Sequence, residues 1–239
     1  ESGLNLSYDG LRACTRGAVM PPLVCNVEQI NSGIVTKDYI IERRKDYIRQ
    51  LNSPDAEIDC KNCDMVEKKP FKDLTFHGLG HIDLQHYSLC NLRCSYCLYT
   101  KKEVHVPPQY DALKILQVFS EEDVEWNSHV DFAGGEPTLL KNIDEYLDYF
   151  NKRRIRVMMY TNGVRYHQSI YDGLADGSIY LATVSVDSGT PSTYSKIRGR
   201  DKYPEVLDNL SRYASAGSRG KGMLVVQYIF CESNCSTDD

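Results

Sequence analysis

The sequence predicts an α/β protein in which a parallel sheet with crossover helices occupies about the last two thirds of the chain. Two observations carry this prediction. From about residue 80 onward, short apolar segments alternate with amphipathic segments, which is typical of consecutive β/α units. The 239 residues are 41% hydrophobic and 26% charged. This is the composition of a globular protein, and it excludes collagen-like, coiled-coil and disordered chains.

Five apolar segments are predicted to be the strands of this sheet: His81–Tyr87, His129–Ala133, Ile155–Tyr160, Tyr180–Val186 and Met223–Phe230. Three further segments have apolar residues three and four positions apart, on one face of a helix. These residues are Ala112, Ile115, Leu116 and Phe119; Leu140, Ile143, Leu147 and Phe150; and Val206, Leu210 and Tyr213. Ligands of such sheets gather at the carboxyl ends of the strands, so we expect the chemistry at that edge.

The first part of the chain differs in character from the rest. Residues 1–76 contain four cysteines, few alternating apolar runs and a charged stretch, Lys37–Gln50, that is predicted to form one helix. We therefore expect two parts, a cysteine-rich segment over residues 1–76 and a core over residues 77–239.

Charge and hydropathy exclude several partners. The net charge of −5 gives no electrostatic reason to expect nucleic acid or an anionic membrane surface. No apolar run approaches the roughly 20 residues that span a bilayer. The first residues contain neither the basic nor the apolar stretch of a signal peptide, so we expect a cytoplasmic protein.

The nine cysteines are the unusual feature of the composition. They are clustered at positions 14, 25, 60 and 63, at 90, 94 and 97, and at 231 and 235. Disulfide frameworks belong mainly to short secreted domains that lack a sufficient core. A chain of this length without an export signal favours thiolates that bind metal in a reducing compartment.

Cys90, Cys94 and Cys97 follow the first predicted strand directly. A short loop of this kind can bring three thiolates to three corners of an iron–sulfur cubane and leave the fourth iron without a protein ligand. Ordinary four-iron clusters and structural zinc sites instead close with four ligands. The spacing therefore indicates a cluster that binds a further molecule. The alternatives are a zinc site completed by His86 or His105, or three unrelated thiols.

The pattern Cys90-x3-Cys94-x2-Cys97, with Tyr96 just before the last cysteine, resembles the signature of the radical S-adenosylmethionine (SAM) enzymes. In that family the open iron of a [4Fe–4S] cluster chelates the amino and carboxylate groups of SAM. An electron from the reduced cluster then splits the sulfonium to give a 5′-deoxyadenosyl radical. The resemblance implies that the three cysteines bind the cluster and that Tyr96 lies against the adenine. It also implies a partial (β/α)6 barrel, of which about five units are visible here.

Gly134-Gly135-Glu136-Pro137 follows the second predicted strand. The two glycines let the backbone approach a ligand closely, although by itself the sequence is a common turn. It resembles the GGEP motif of radical SAM enzymes, which holds the amino group of SAM. The resemblance therefore implies that Gly134, Gly135 and Glu136 orient SAM.

The next two strand ends carry hydroxyl and carboxylate groups, at Thr161 and at Ser185 and Asp187. From the residues alone these are an Asn-Gly turn and a helix N-cap at Asp187 or Ser188. They resemble the TNG and S-x-D segments of the family, which implies that Thr161, Ser185 and Asp187 bind SAM. Arg198 and Gln227 are further candidates, although an exposed arginine is usually only a solvated charge.

Cys14, Cys25, Cys60 and Cys63 are the right number for a closed site whose metal supplies folding energy. Spacing does not separate zinc from iron, since both accept four cysteines. Ile48–Leu51 followed by Cys60-x2-Cys63 resembles the auxiliary-cluster segments called SPASM or twitch, which implies a second [4Fe–4S] cluster with zinc as the alternative. Two departures are that this segment precedes the core and that a glycine usually found between the first two cysteines is absent.

Cys231 and Cys235 receive no role from the sequence. A further metal site and contact with substrate are both open, but a buried cysteine also serves simply as a small apolar side chain. Ser236–Asp239 resemble the N-cap and acidic first turn of a helix. We therefore expect the chain to stop before the sixth strand or to be part of a longer protein, with a neighbouring domain or subunit covering the open sheet edge.

The resemblance implies a radical SAM enzyme that abstracts hydrogen from a peptide, a sugar or a small molecule, with an electron donor such as flavodoxin or ferredoxin. The alternative is a non-enzymatic iron–sulfur or zinc protein for electron transfer, redox sensing or scaffolding. The fourth ligand separates the two classes. A closed site at residues 90–97 would favour the alternative, and an iron open to SAM would favour the enzyme.

Overall fold

The structure is a computed structural model that describes residues 3–15, 21–54, 60, 63, 70, 78–217 and 220–235. These residues belong to two compact units, the first comprising Glu1–His86 and Pro108–Ser128 and the second Tyr87–Pro107 and His129–Asp239. The strands are β1 (Gly3–Ser7), β2 (Gly10–Arg12), β3 (Leu23–Asn26), β4 (Leu79–Gln85), β5 (Val124–Phe132), β6 (Arg156–Thr161), β7 (Ile179–Ser185) and β8 (Met223–Gln227). The α-helices are α1 (Val27–Asn31), α2 (Lys37–Leu51), α3 (Leu98–Lys101), α4 (Ala112–Leu116), α5 (Ile143–Lys152), α6 (Gln168–Asp176), α7 (Pro191–Arg198) and α8 (Tyr203–Gly217).

The first unit contains four strands side by side in the order β3-β2-β1-β4. The pairs β1–β2 and β2–β3 are antiparallel, whereas β1 and β4 are parallel, with Leu4 opposite Ile82 and Leu6 opposite Leu84. These four side chains are fully buried. The strands β1, β2 and β3 were not predicted, because segments of only three to five residues show too little alternation.

The predicted helix over Lys37–Gln50 is confirmed as α2, which extends one residue further, to Leu51. It begins where the Thr36 hydroxyl accepts a hydrogen bond from the Tyr39 N–H, which satisfies one of the free N–H groups of the first turn. Ile40 is fully buried, while most of the charged residues are partly exposed. The helix is therefore stabilised by its N-cap and by the burial of Ile40, rather than by a row of buried apolar side chains along its length.

The second unit contains the end of β5, from His129 onward, and the strands β6, β7 and β8, which are parallel and follow the order β5-β6-β7-β8. Val130 lies opposite Val157, and Val184 lies opposite Val226. The helices α5, α6, α7 and α8 lie in the connections between these strands, as crossovers of a parallel sheet require. Val184, Val186, Tyr194 and Val206 form a buried core cluster.

All five predicted strands are present, with shifted ends. β5 begins at Val124 rather than at His129, because its first half is mostly polar and gives no apolar signal. β8 ends at Gln227 rather than at Phe230. The helices α6 and α7 were not predicted. The expected helix start at Ser236–Asp239 lies outside the described residues.

No helix in the part of the chain that the structure describes is both long and apolar enough to cross a membrane.

The turn between β1 and β2 requires glycine at position 10. Gly10 has a φ of +141°, and a Cβ there would lie 2.2 Å from the Cys25 carbonyl oxygen. Gly33 also has a positive φ, +77°, but a Cβ there meets nothing within 4 Å.

We expect Gly33→Ala to cost about 1–2 kcal/mol of unfolding free energy from backbone strain alone. Gly10→Ala should lower the unfolding free energy clearly more, because the backbone at Cys25 must also move to make room for the Cβ. Urea denaturation measures both, and equal losses would contradict this assignment.

Candidate functional site

The candidate residues of the second unit lie at the carboxyl ends of parallel strands. Gly134 lies two residues after the end of β5, Thr161 ends β6, Ser185 ends β7 and Gln227 ends β8. Because neighbouring parallel strands place their carboxyl ends at the same edge, these residues share one edge of the sheet. The cysteine loop, at residues 90–97, lies in the same unit.

Backbone hydrogen bonds attach the cysteine loop to the end of β5. The Gly135 N–H donates to the Tyr87 carbonyl oxygen over 3.2 Å, and the Glu136 N–H donates to the Leu89 carbonyl oxygen over 2.8 Å. A Cβ at Gly135 would lie 2.1 Å from that Leu89 oxygen. Glycine is therefore needed at position 135 for the loop to approach the strand end this closely.

The Glu136 carboxylate is 1% exposed and accepts four hydrogen bonds. Its Oε1 accepts from the Thr138 N–H at 3.2 Å, the Thr138 hydroxyl at 2.8 Å and the Thr161 hydroxyl at 2.7 Å. Its Oε2 accepts from the Asn162 N–H at 2.7 Å. Burial raises the pKa of Glu136, and these four donors oppose part of that rise. Glu136 thus joins the end of β5 to the end of β6.

Cys90 receives hydrogen bonds from neutral donors. The Leu92 N–H lies 3.4 Å from its Sγ, and the Asn162 side-chain amide lies 3.7 Å from it. The same amide donates to the Asn91 side-chain oxygen over 2.7 Å. Burial raises the pKa of the Cys90 thiol to about 11. Asn162 was not among the predicted site residues, although it is the asparagine of the TNG segment that begins at Thr161.

Cys94 receives a hydrogen bond from a cation. Arg198 donates from Nη1 to the Cys94 Sγ over 3.2 Å and from Nη2 to the Ser185 carbonyl oxygen. The expectation that this arginine is exposed is wrong, because only 4% of it is accessible. Burial lowers the pKa of Arg198, but the neighbouring Cys94 and Asp187 raise it, so that it lies above its ordinary value.

Asp187 is fully buried and pairs with Arg198, with its Oδ2 3.0 Å from Nη2. It also accepts hydrogen bonds from the Tyr96 hydroxyl and, over 2.8 Å, from the Ile229 N–H. Its φ is +59°, a conformation that non-glycine residues seldom adopt. The helix that follows is capped by Thr190 rather than by Asp187 or Ser188. Asp187 thus holds the cysteine loop, α7 and the chain after β8 together.

Two predicted SAM residues make contacts that define their surroundings. The Tyr96 hydroxyl is bound to Asp187, its ring centroid lies 5.8 Å from the Arg198 guanidinium, and burial raises its pKa. The Ser185 hydroxyl donates to the Gln227 side-chain oxygen over 3.2 Å. The structure therefore brings Tyr96, Ser185, Asp187 and the further candidate Arg198 into one hydrogen-bonded group.

A family model described as the radical SAM superfamily matches residues 84–230. The chain belongs to the radical SAM superfamily. The match covers more than half of the chain and contains the loop cysteines and every predicted SAM residue. Membership implies SAM and a [4Fe–4S] cluster as cofactors.

Mycofactocin maturase MftC of Mycobacterium tuberculosis (strain CDC 1551 / Oshkosh) is 28% identical over 137 residues, which is 57% of this chain and 35% of that protein. GTP 3′,8-cyclase 1 of the same strain is 28% identical over 166 residues, 64% of this chain and 46% of that protein. Among solved structures, Streptococcus suis SuiB bound to S-adenosylmethionine has a TM-score of 0.53 at 16% identity, over 86% of this chain and 43% of that chain. This last likeness concerns the fold alone.

The chain spans roughly a third to a half of the length of these relatives. The predicted α/β class is confirmed, and the radical SAM neighbours agree with a partial barrel. Because the curated radical SAM relatives are enzymes, the non-enzymatic alternative is not favoured.

The residues of the radical SAM loop fit an iron–sulfur cluster. Cys90, Cys94 and Cys97 are free thiols, and two of them already receive N–H donors of the kind that tune cluster sulfurs. Among the described residues, no three His, Cys, Asp or Glu side chains are grouped so as to hold a single metal ion. A four-iron cluster instead distributes its ligands over separate iron atoms.

The two histidines considered as zinc ligands lie in different units. His86 belongs to the first unit, where it is fully buried with its ring centroid 6.0 Å from that of Tyr110. Burial lowers the pKa of His86 to about 3. His105 belongs to the second unit, and partial burial lowers its pKa as well.

The chain after β8 is held by Asn234, which is 2% exposed. Its amide donates to the Asp187 carbonyl oxygen over 2.9 Å and to the Ile229 carbonyl oxygen over 2.8 Å. Its side-chain oxygen accepts from the Cys231 N–H over 2.7 Å. Cys231 is partly buried and Cys235 is exposed. The sequence held no signal for Asn234, because a polar residue in a loop looks the same whether it is buried or solvated.

Helix α2 lies near three of the four cysteines of the first unit. Arg43 acts electrostatically on Cys25, Cys14 on Arg44, and Cys60 on Tyr47. Burial raises the pKa of Cys25 to about 11 and lowers that of Arg44 to about 10. Positions 43, 44 and 47 fall within about one turn of the helix.

The Cys63 N–H donates to the Cys60 carbonyl oxygen over 3.1 Å. Most residues between positions 54 and 78 lie outside the described part of the chain.

Glu136→Gln tests the four-donor site. Both carboxylate oxygens accept hydrogen bonds, so a glutamine amide must turn its NH2 toward at least one donor. We expect a loss of about 1–3 kcal/mol of unfolding free energy in urea denaturation. Glu145→Gln is the matched control, because Glu145 is exposed in the first turn of α5. Equal stability of the two variants would contradict the assigned hydrogen bonds.

Proposed function

We propose that this radical SAM chain cleaves SAM reductively and uses the resulting radical to remove hydrogen from a substrate. One observation carries the proposal. The loop with the three free thiols is preceded by residues that are hydrogen-bonded through the backbone to Gly135 and Glu136, just after β5. When bound, the reduced cluster would supply one electron to the sulfonium of SAM, so that the C5′–S bond breaks, methionine leaves, and the 5′-deoxyadenosyl group takes the substrate hydrogen to become 5′-deoxyadenosine.

The protein's own residues have distinct parts in this proposal. Cys90, Cys94 and Cys97 hold the cluster. Gly134, Gly135 and Glu136 receive the SAM amino group, since Glu136 Oε2 accepts one protein hydrogen bond and keeps a lone pair for an ammonium donor. Charge-assisted hydrogen bonds of this type are among the stronger ones.

Two of the predicted SAM residues, Thr161 and Asp187, also position their neighbours. The Thr161 hydroxyl donates to Glu136 and accepts from the Gly163 N–H, so it orients that carboxylate. The Asp187 carboxylate likewise orients the Tyr96 hydroxyl, by accepting its hydrogen bond, and the Arg198 guanidinium, by an ion pair. Ser185 lies at the partly exposed end of β7. We propose Ser185 as a direct SAM contact and keep the contact of Tyr96 with adenine as a prediction.

The substrate is proposed as a class. The two curated relatives are named as a mycofactocin maturase and as a GTP cyclase. Because the names of these two relatives describe different reactions, we keep the substrate of this chain as a peptide, a sugar or another small molecule. We further propose a cytoplasmic protein that takes its electron from flavodoxin or ferredoxin, with a neighbouring domain or subunit along the exposed strand β8.

We also propose that Cys14, Cys25, Cys60 and Cys63 form an auxiliary site in a segment over residues 1–76, ahead of a core over 77–239. The arginines beside Cys25 and Cys14 support a site of net negative charge, which four thiolates on a metal provide. A second [4Fe–4S] cluster and a zinc ion both satisfy this requirement. We favour the cluster because of the resemblance to SPASM and twitch segments.

The activity is tested by the formation of 5′-deoxyadenosine. The anaerobically reconstituted protein, given SAM and a low-potential reductant, should release it. Cys94→Ala should abolish the product, because the cluster loses a ligand. Cys235→Ala is the matched control, since Cys235 is exposed and has no assigned role. Undiminished product from Cys94→Ala would refute the proposed cluster ligands.

The auxiliary site is tested by metal content. A variant with Cys90, Cys94 and Cys97 all replaced by Ala should retain about four iron atoms and an equal amount of sulfide. Further replacement of Cys60 and Cys63 by Ala should remove them. One zinc ion without sulfide would instead establish the zinc alternative, and absence of any metal would contradict a site at these cysteines.

A further inference from the structure

The radical SAM cysteines differ in the charge of their hydrogen-bond donors. Cys90 receives the neutral Leu92 N–H and the neutral amide of Asn162. Cys94 receives a guanidinium N–H from Arg198 at 3.2 Å. Arginine remains protonated in proteins, so this donor carries a permanent positive charge. The cluster corners at Cys90 and Cys94 therefore lie in unequal electrostatic surroundings.

Arg198 is held firmly in this place. Its guanidinium pairs with the fully buried Asp187 and donates to the Ser185 carbonyl oxygen. Its own carbonyl oxygen accepts the Arg93 N–H over 3.0 Å. The Ile197 carbonyl oxygen likewise accepts the Ser95 N–H over 2.8 Å. The backbone on both sides of Cys94 is thus bound to the end of α7, which keeps the guanidinium in register with the sulfur.

Two buried polar groups that interact electrostatically with Cys94 have unused hydrogen-bonding capacity. In the described part of the chain, neither the Arg198 Nε nor the Tyr194 hydroxyl has a hydrogen-bond partner. Both residues are buried, and both interact electrostatically with Cys94. Both atoms therefore retain the capacity to donate one further hydrogen bond.

We propose that Arg198 is a positioning residue that sets the reduction potential of the radical SAM cluster through its hydrogen bond to Cys94. The inference rests on the proposed function, in which Cys94 binds that cluster. Reduction adds one negative charge, and a cation beside the sulfur stabilises the reduced form more than the oxidised form. Hydrogen bonds to the sulfurs and net charge are known determinants of cluster potentials.

Asp187 acts against Arg198 in this arrangement. Its carboxylate is 3.0 Å from the guanidinium and reduces the positive charge that the cluster experiences. Ile229 and Asn234 bind Asp187 from the chain after β8, so the carboxylate is fixed as firmly as the guanidinium. Removal of the two charges should therefore shift the potential in opposite directions.

The test is a redox titration of the reconstituted holoprotein, followed by electron paramagnetic resonance of the reduced cluster. Arg198→Gln should make one-electron reduction at least tenfold less favourable, a shift of about 59 mV to more negative potential. Asp187→Asn should shift the potential to more positive values. Arg200→Gln removes the same charge at an exposed position two residues away and should leave the potential unchanged.

Arg198→Gln leaves a buried carboxylate without its cation and can prevent folding. The double variant Arg198→Gln, Asp187→Asn removes both charges and should have a potential between those of the single variants. Arg198→Lys, which keeps the charge, should lie closer to the wild type than Arg198→Gln does.

Equal potentials for Arg198→Gln and Arg200→Gln would overturn the inference, as would shifts of the same sign for Arg198→Gln and Asp187→Asn. Iron analysis separates this failure from failure of the proposed function. A wild-type protein that binds no iron at residues 90–97 refutes the cluster and the inference together. Clusters of equal potential in all variants refute only the role of Arg198.

Discussion

The buried carboxylate of Glu136 is the interaction on which the rest of the site depends. It accepts four hydrogen bonds, from Thr138 after β5 and from Thr161 and Asn162 at the end of β6. The same residue's N–H binds the Leu89 carbonyl oxygen just before the cysteine loop. A single side chain and its backbone thus set the distance between the loop and two strand ends, and the low local dielectric makes each of these bonds costly to lose.

In each of the two units, arginine side chains interact with cysteine sulfurs. In the second unit Arg198 donates to Cys94, and in the first unit Arg43 and Arg44 act on Cys25 and Cys14. Thiolates with bound metal are anionic, and burial of an anion is favourable only with a partner of opposite charge. Arg198 supplies such a partner beside Cys94, and Arg43 would supply one beside Cys25 in the proposed auxiliary site.

Local spacing was sufficient to predict residues that the structure brings together in the second unit. The loop of Cys90, Cys94 and Cys97 and the strand ends at Gly134 and Thr161 were found because their order and spacing are themselves the signal. All five strands from β4 to β8 were found because each contains apolar residues in a short run or in alternation, although β8 is mostly exposed. Their ends were less certain, as the polar first half of β5 demonstrates.

Features that depend on contacts distant in the chain were not accessible. Arg198 looked like a solvated charge, and its burial follows from packing against Asp187 and a loop about a hundred residues earlier. Asn234 is buried by bonds to residues 187 and 229, which no local pattern encodes. The short strands β1, β2 and β3 were missed because three to five residues give too little alternation to count.

The central claim is that three protein ligands leave one iron of the cluster open to SAM. Electron paramagnetic resonance of the reduced protein, recorded before and after addition of SAM, tests it most directly. Binding at the open iron should change the spectrum of the cluster, and the change should be absent in Cys94→Ala. A reduced cluster whose spectrum is identical with and without SAM, in a protein that binds SAM, would contradict the claim and indicate a closed site.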